Sequence, residues 1–401
     1  MDRTKEHADL ASTATESAAA EQFSATAASP AAAEAPRERL CVGWVAGPTT
    51  VEEYGRSLQP LAIGLMDELV EVLAICPQGA DVQELPSPPV ETIFYGPSRR
   101  WCFDTGAVDE LVEELRRRKV RLLHALDAGA WKLASELGKL AGLNGIAGSL
   151  DLDDHRILGH LGDSAAAVLA ASEPIRQSLL VHRVAESRRI ELVRPGVYQV
   201  RKPTCFLDAR LRVSIVAGWP MDEFEPFEAV IRCFAALRSG GRDCVFFLMG
   251  EGRAERRLRA LAETLGVRAD LTFVDRQSPR LLPGIFKAAD LYVAPVPDRG
   301  IDVPSLLAMA AGVPVLAAGQ GASDFLIDGQ TALQFMPGNA ADLTAKLTAL
   351  LDDHAKAAAL ADGALKHLRR EHSPAGAVAA VTRIYRQVAA APTPSGALQS
   401  S

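Results

Sequence analysis

The sequence of 401 residues is long enough for two globular domains and additional tails, because domains usually contain roughly 100 to 200 residues. Its content of 48% hydrophobic and 23% charged residues is ordinary for a globular protein, which excludes collagen-like and wholly disordered classes. The net charge of -7 disfavours a nucleic-acid partner, since proteins that bind phosphate backbones concentrate Lys and Arg.

The first 38 residues are dominated by Ala, Ser, Thr and Glu, and their only large apolar side chains are Leu10 and Phe23. Such a segment cannot bury enough apolar surface to offset its ordering entropy, so we expect a disordered tail. It lacks the apolar core of a signal peptide, and its acidic residues disfavour a transit peptide. No run of 18 uncharged apolar residues occurs in the chain, so no membrane span is predicted.

The six cysteines are scattered, with no CxxC pair and no histidine at zinc-ligand spacing. They are typical of reduced thiols in a protein core. We therefore predict a cytoplasmic protein with no structural metal.

Residues 39–205 show short apolar runs that alternate with amphipathic stretches, which is the pattern of a parallel sheet covered by helices. The clearest helix is predicted at 108–118, where apolar residues share one face. The predicted strands are 40–46, 70–76, 120–124, 145–149, 166–171 and 190–193. This region is predicted to be one doubly wound α/β domain.

The pattern restarts after a polar stretch and predicts a second doubly wound domain at 206–372. Its predicted strands are 211–217, 245–249, 271–274, 291–294, 313–317 and 332–335. Its predicted helices are 224–237, 254–265, 304–311, 341–351 and 354–370. A C-terminal helix at 373–390 and a tail at 391–401 complete the chain. Two such domains imply a cleft between the carboxyl ends of the two sheets, where sheets of this kind bind ligands.

A short helix is predicted just after the strand at 291–294. Asp302 can cap it, Pro304 fits its first turn, and Gly312 with Pro314 ends it. A helix N-terminus at the carboxyl edge of a parallel sheet offers N–H groups and a positive dipole end to an anion, and a diphosphate would suit it.

Residues 308–315 resemble the "EAMAAGVPV" phrase of the group 1 (family 4) retaining glycosyltransferases, which have the GT-B fold. Other phrases of that family occur here in the same order. They are matched by residues 122–124 ("vvHaH"), 170–173 ("vSe"), 194–197 ("PNGV"), 248–252 ("GdG"), 288–295 ("aaDvfvlPS") and 328–329 ("eDGxtG"). The resemblance implies transfer of a sugar from a nucleoside-diphosphate donor to a saccharide or lipid acceptor, with no metal or other cofactor.

The donor-site positions depart from the family pattern. The family's acidic pair corresponds to Arg299 and Leu307, and its two diphosphate-binding cations correspond to Trp219 and Phe224. We expect Arg299 to supply a phosphate-binding charge instead, because guanidinium groups bind phosphate bidentately.

The resemblance places six residues around the donor. They are Gly47 after the first strand, Gly250 and Glu251 in the "GdG" turn, and Arg299, Asp302 and Ser305 before and within the short helix.

A loop after the fourth predicted strand contains Asp151 and His155, near the position where the family often has a histidine. We predict that these two residues serve acceptor binding or proton transfer. A solvated polar loop and a metal site are the alternatives.

The sequence favours an enzyme, namely a glycosyltransferase of the hexosyltransferase type. A catalytically inactive GT-B relative that acts as a binding or scaffolding protein is the alternative, and another GT-B activity such as an epimerase or phosphorylase stays open. The basic run at 116–119 suggests peripheral contact with the inner face of a membrane. Cations at a helix C-terminus also have a local reason to be there.

Overall fold

The computed structural model describes residues 38–83, 85–96, 105–159, 161, 164–206, 212–218, 220–319 and 321–393, and the side chains of residues 105–107 are excepted. The predicted N-terminal tail lies outside these ranges except for Glu38. Residues 394–401 of the predicted C-terminal tail and Trp219 also lie outside them.

The first sheet has seven parallel strands in the order β3-β2-β1-β4-β5-β6-β7. The strands are β1 (Leu40–Val45), β2 (Val70–Pro77), β3 (Glu91–Tyr95), β4 (Val120–Ala125), β5 (Asn144–Ser149), β6 (Ala167–Ala170) and β7 (Ile190–Leu192). The central strands are buried along most of their length, because helices cover both faces of the sheet.

The helices of this sheet are α1 (Thr50–Asp67), α2 (Thr105–Arg117), α3 (Trp131–Ala141), α4 (Asp154–Leu158) and α5 (Glu173–Val181). Helix α1 follows β1 directly, and α4 follows the carboxyl end of β5. The N-termini of both helices therefore lie at the edge of the sheet where a ligand is expected.

The second sheet has six parallel strands in the order β10-β9-β8-β11-β12-β13. The strands are β8 (Val213–Gly218), β9 (Cys244–Met249), β10 (Leu271–Val274), β11 (Leu291–Ala294), β12 (Val315–Ala318) and β13 (Leu333–Phe335). The helices are α6 (Phe224–Ser239), α7 (Glu255–Thr264), α8 (Leu282–Lys287), α9 (Val303–Ala310), α10 (Ala340–Asp352) and α11 (His354–Glu371).

The last helix, α12 (Pro374–Ala390), returns to the first sheet and packs against α1 and β4. The hydroxyl of its Tyr385 accepts a hydrogen bond from Trp44 Nε1 at 2.8 Å and lies 2.7 Å from His124 Nδ1. All three side chains are buried, and burial lowers the pKa of His124 to about 3. A neutral imidazole therefore completes this polar contact inside the first domain.

The predicted α/β fold with two doubly wound parallel sheets is confirmed. The prediction omitted β3, an edge strand that follows a proline-rich segment and has no buried residue. Within the described part of the chain, no helix is both long enough and apolar enough to cross a membrane.

Candidate active site

A cavity of about 360 Å³ lies between the carboxyl ends of the two sheets. Glu53, Tyr54 and Asp151 line it from the first sheet, and Gly218, Pro220 and residues 298–304 line it from the second. Each of these positions lies at or after the carboxyl end of a strand, as expected for a ligand site in doubly wound sheets. The cavity is therefore the candidate active site.

Two loops meet along one wall of this cavity through their backbones. The Leu152 N–H donates to the Arg299 carbonyl at 2.9 Å, and the Ile301 N–H donates to the Leu150 carbonyl at 3.1 Å. Asp151 and Gly300 form an isolated antiparallel bridge between these bonds. The loop after β5 and the loop after β11 are thus joined across the cleft.

Arg299 lies on this wall, and its guanidinium forms an ion pair with the carboxylate of Asp153. The Arg299 side chain is 63% exposed, so the pair is largely solvated. The one cation among the lining residues of the cavity is therefore already paired with a carboxylate of the facing loop.

The N-terminus of α9 forms part of the cavity, and Asp302 caps it as the sequence predicted. One carboxylate oxygen of Asp302 accepts the Ser305 N–H at 3.0 Å, and the other accepts the Ser305 hydroxyl. The Leu306 N–H donates to the Asp302 carbonyl at 3.0 Å, and Pro304 has no N–H to offer. The chain's own carboxylate thus takes up first-turn donors that a bound anion would otherwise use.

The cavity is acidic, because four carboxylates line it: Glu53, Asp151, Asp298 and Asp302. Burial, and to a smaller extent the nearby Asp298, raise the pKa of Asp302 to about 6. Burial also raises the pKa of Asp298, whose carboxylate accepts the Ser323 N–H at 2.8 Å. A low-dielectric site with several acids favours the protonated form of some of them.

Asp151 and His155 are separated by the structure. Asp151 lines the cavity, whereas His155 does not. The His155 ring stacks on His182 with 3.6 Å between ring centroids, and its Nδ1 donates to the Leu152 carbonyl at 2.9 Å. As arranged here, His155 supports the loop and is not among the residues that reach the cavity.

Asp154 organises this loop. Its carboxylate accepts hydrogen bonds from Ser149 Oγ at 3.0 Å, the Leu150 N–H at 2.7 Å and the Asp151 N–H at 2.9 Å. Three donors on one buried carboxyl group fix the backbone that presents Asp151 to the cavity.

The predicted donor contacts Gly47, Gly250 and Glu251 lie outside the cavity lining. The Gly47 N–H donates to Asp127 at 2.7 Å, and the Gly250 N–H donates to the Val274 carbonyl at 2.9 Å. The carbonyl of Glu251 accepts the Met221 N–H at 2.9 Å, which fastens the turn after β9 to the loop after β8. Each of the three backbone positions therefore has a structural contact within the protein.

Besides Arg299, the structure describes two of the departures from the family pattern, and both have local contacts. Leu307 is buried and lines a second cavity, near the C-terminal end of α9. The Phe224 ring lies 4.0 Å from the Arg257 guanidinium, a cation–π contact at the start of α6.

Sequence reasoning missed Glu53, Tyr54 and Asp298 as residues of this site. Glu53 and Tyr54 lie near the start of α1, which follows β1, and Asp298 lies four residues after the end of β11. Their positions after the ends of predicted strands were the feature of the sequence that could have identified them. Burial raises the pKa of Tyr54, and Glu53, Asp151 and Asp154 add to that shift, so its phenol is neutral.

The arginines of the basic run at the end of α2 form ion pairs with nearby acidic residues. Arg116 pairs with Glu113, Arg117 pairs with Glu114, and Arg118 pairs with both Glu114 and Glu91. These contacts give the arginines a local electrostatic role. Contact with a membrane stays a prediction.

The two facing sheets have the arrangement of the GT-B fold, because solved structures superpose on most of the chain. A glycosyltransferase from Rickettsia africae ESF-5 matches with a TM-score of 0.71 at 14% identity, over 87% of this chain and 98% of that one. The Anabaena protein Alr3699/HepE, solved in complex with UDP and glucose, matches with a TM-score of 0.70 at 14% identity, over 87% and 100%. At this identity, the likeness establishes the fold and not the reaction.

Residues 213–353 match the family described as glycosyl transferases group 1. The match covers the second sheet and α10, so the predicted resemblance to group 1 glycosyltransferases is confirmed for these residues. A D-inositol 3-phosphate glycosyltransferase of Nocardia farcinica is 31% identical over 209 residues, which are 48% of this chain and 46% of that protein. One from Thermobispora bispora is 30% identical over 244 residues, 54% and 55% of the two chains. The chain spans about half the length of the curated relatives it matches.

Proposed function

We propose that this chain is a glycosyltransferase that moves a sugar from a nucleoside-diphosphate donor to a saccharide or lipid acceptor, with retention at the anomeric carbon. The cavity between the two sheets is the observation that carries this proposal, because it lies where GT-B proteins face their two domains and adjoins the N-terminus of α9. Relatives with glycosyltransferase names match about half of the chain, and one neighbour of the same fold was solved with UDP and glucose.

The proposed roles follow from position. The donor diphosphate lies against residues 299–303. There the Arg299 guanidinium leaves the Asp153 carboxylate and pairs with the phosphates. An exposed ion pair contributes only about 0–1 kcal/mol, so this exchange costs little. Asp151 accepts a hydrogen bond from the acceptor hydroxyl, and Ser305 holds Asp302 in place. No metal is required in this scheme, because the guanidinium offsets the phosphate charge.

This scheme keeps four further predicted contacts, namely Gly47, Gly250, Glu251 and His155. To bind the donor or the acceptor, each of these residues would have to give up a contact that it now makes within the protein. If the acceptor is a lipid, the protein works at the inner face of a membrane, and flotation with anionic vesicles would measure that association.

Calorimetric titration of UDP-, GDP- and ADP-sugars into the full chain tests the proposal. We expect one donor to bind below millimolar concentration, and Arg299→Ala to weaken it at least about tenfold, since a charged hydrogen bond contributes about 1.5–3 kcal/mol. Arg253→Ala is the matched control, because that arginine is 86% exposed and lies outside the cavity lining. Absence of binding by every donor at millimolar concentration would contradict the proposal.

The second candidate is a GT-B protein that binds a ligand without catalysis. The acidic lining and the Asp302 cap favour it, because both oppose a diphosphate at the N-terminus of α9. The test is release of nucleoside diphosphate from a donor that binds, with and without a panel of saccharide and lipid acceptors. Binding without release in every mixture would support this candidate over the transferase.

A further inference from the structure

A second cavity, of about 250 Å³, lies at the other end of α9. We call it the seam cavity. It is lined by α1 and by residues 197–200, which connect the two sheets, and by α8 and the C-terminal end of α9. The candidate active site adjoins the N-terminus of the same helix, so the two cavities are distinct.

The charged lining of the seam cavity consists of Arg56 of α1 and Lys287 of α8, with no carboxylate. Among the residues that the structure describes, neither cation forms an ion pair. Glu52 and Glu53 precede Arg56 by one turn, and both lie 3.6 Å from Arg276. Arg56 Nη1 donates to the neutral Gln59 Oε1 at 3.2 Å. The seam cavity is therefore positive, in contrast to the acidic candidate active site.

The carbonyl groups at the end of α9 do not account for these two cations. The Ala310 carbonyl accepts the Val200 N–H at 2.9 Å, and the Ala311 carbonyl accepts the Thr204 hydroxyl at 2.8 Å. Backbone and hydroxyl donors of the connecting segment thus already cover the negative end of the helix.

Gln199 provides an independent sign of a missing ligand. This residue lines the seam cavity, and its side-chain Nε2 is buried and has no hydrogen-bond partner among the described residues. Buried amide groups are nearly always hydrogen-bonded, because an unsatisfied donor loses its water without compensation. An acceptor oxygen in the cavity would satisfy it.

We propose that the seam cavity binds a small phosphate-bearing anion. A guanidinium and an ammonium suit phosphate, the first as a planar fork and the second as a point charge, and the amide of Gln199 adds a neutral donor. The volume is just below the roughly 300–1,000 Å³ of sites for drug-sized ligands, so a compact phosphate compound fits. This proposal does not depend on the proposed transferase activity. A ligand here would contact helices that cover both sheets and the segment that connects the two sheets.

The experiment is calorimetric titration of the full chain with inorganic phosphate and with pyrophosphate. We expect millimolar or tighter binding, with Arg56→Gln and Lys287→Gln each weakening it about tenfold. Arg253→Gln is the control, since that exposed arginine lies outside the seam cavity, and its affinity should match the unmodified protein. Absence of binding at about 10 mM phosphate or pyrophosphate would overturn the proposal. So would binding that Arg299→Ala abolishes and Arg56→Gln leaves unchanged, because the anion would then occupy the acidic cavity.

Gln199→Leu separates a binding role from a structural one. Without phosphate, this substitution should raise the melting temperature, because it removes a buried donor that has no partner. With saturating pyrophosphate, the variant should gain less stabilisation than the unmodified protein. Equal stabilisation of the two proteins by pyrophosphate would overturn the assignment of Gln199 as a ligand contact.

Discussion

The ion pair between Arg299 and Asp153 joins the loop after β11 to the loop after β5. Asp153 therefore competes with a donor phosphate for the same guanidinium. We predict that Asp153→Asn tightens donor binding several-fold, while Arg299→Ala weakens it. The free energy of unfolding should change by less than about 1 kcal/mol in either variant, because the pair is largely exposed. Calorimetry measures the first quantity and urea unfolding the second.

The matched control for this prediction is Asp222→Asn, which removes another exposed carboxylate that lies 3.8 Å from Arg253. It should leave donor affinity unchanged. An equal gain of affinity in Asp153→Asn and Asp222→Asn would mean that net charge, and not release of Arg299, is responsible.

Asp302→Asn should change how stability depends on pH. The pKa of Asp302 is raised from 3.8 to about 6, so between these values the folded state holds a proton that the unfolded state has lost. The unmodified protein therefore loses stability as pH rises through this window, by roughly 3 kcal/mol for the shift as a whole. Asparagine keeps an acceptor for the Ser305 N–H and cannot ionise. We expect the variant to gain stability relative to the unmodified protein from pH 4 to pH 7, as measured by urea unfolding at several pH values. A constant difference between the two proteins would refute the raised pKa.

Tyr385→Phe should lower the free energy of unfolding by about 1–3 kcal/mol, because it leaves two buried nitrogen atoms without their hydroxyl partner. These are Trp44 Nε1 and His124 Nδ1. Tyr198→Phe is the control, since Tyr198 is 69% exposed and its loss of a hydroxyl should have little effect. The measurement is urea unfolding followed by circular dichroism. Equal stability of the two variants would show that the Tyr385 hydroxyl contributes nothing to the docking of α12.

Asp154→Ala should loosen the loop that carries Asp151, because three donors lose one shared acceptor. Hydrogen exchange at residues 150–152 should accelerate well above that of the unmodified protein, and the free energy of unfolding should fall by about 3 kcal/mol or more. Asp154→Asn retains one acceptor oxygen and should give an intermediate result. Unchanged exchange in Asp154→Ala would mean that the bridge between Asp151 and Gly300 holds the loop by itself.

Strand and helix periodicity predicted most of the fold. For 12 of the strands described here, both ends lie within two or three residues of the ends of an apolar run that was predicted to be a strand. Helix α6, for example, was predicted at 224–237 and extends over Phe224–Ser239. Edge strand β3 has little burial and therefore no strong apolar signal.

The site could be predicted in part. Asp151 and Arg299 follow strand ends, and the topology brings such positions together, so the rule that predicts the cleft also locates them. His155 lies only four residues beyond Asp151, but the short helix α4 carries its ring to His182. The cap at Asp302 was predicted, whereas its consequence was not. A carboxylate that caps a helix uses N–H groups that would otherwise bind a phosphate. Only the structure shows that the cap and the proposed phosphate site share the first turn of the same helix.

The return of α12 to the first sheet has a consequence for synthesis of the chain. Residues 40–192 leave the ribosome long before Tyr385, so the newly made first domain lacks the side chain that contacts Trp44 and His124. Until α12 has been translated, apolar surface of α1 stays uncovered and exposed to other chains or chaperones. A ribosome stalled near residue 370 should thus hold a first domain that proteases cleave readily, and extension through α12 should protect it.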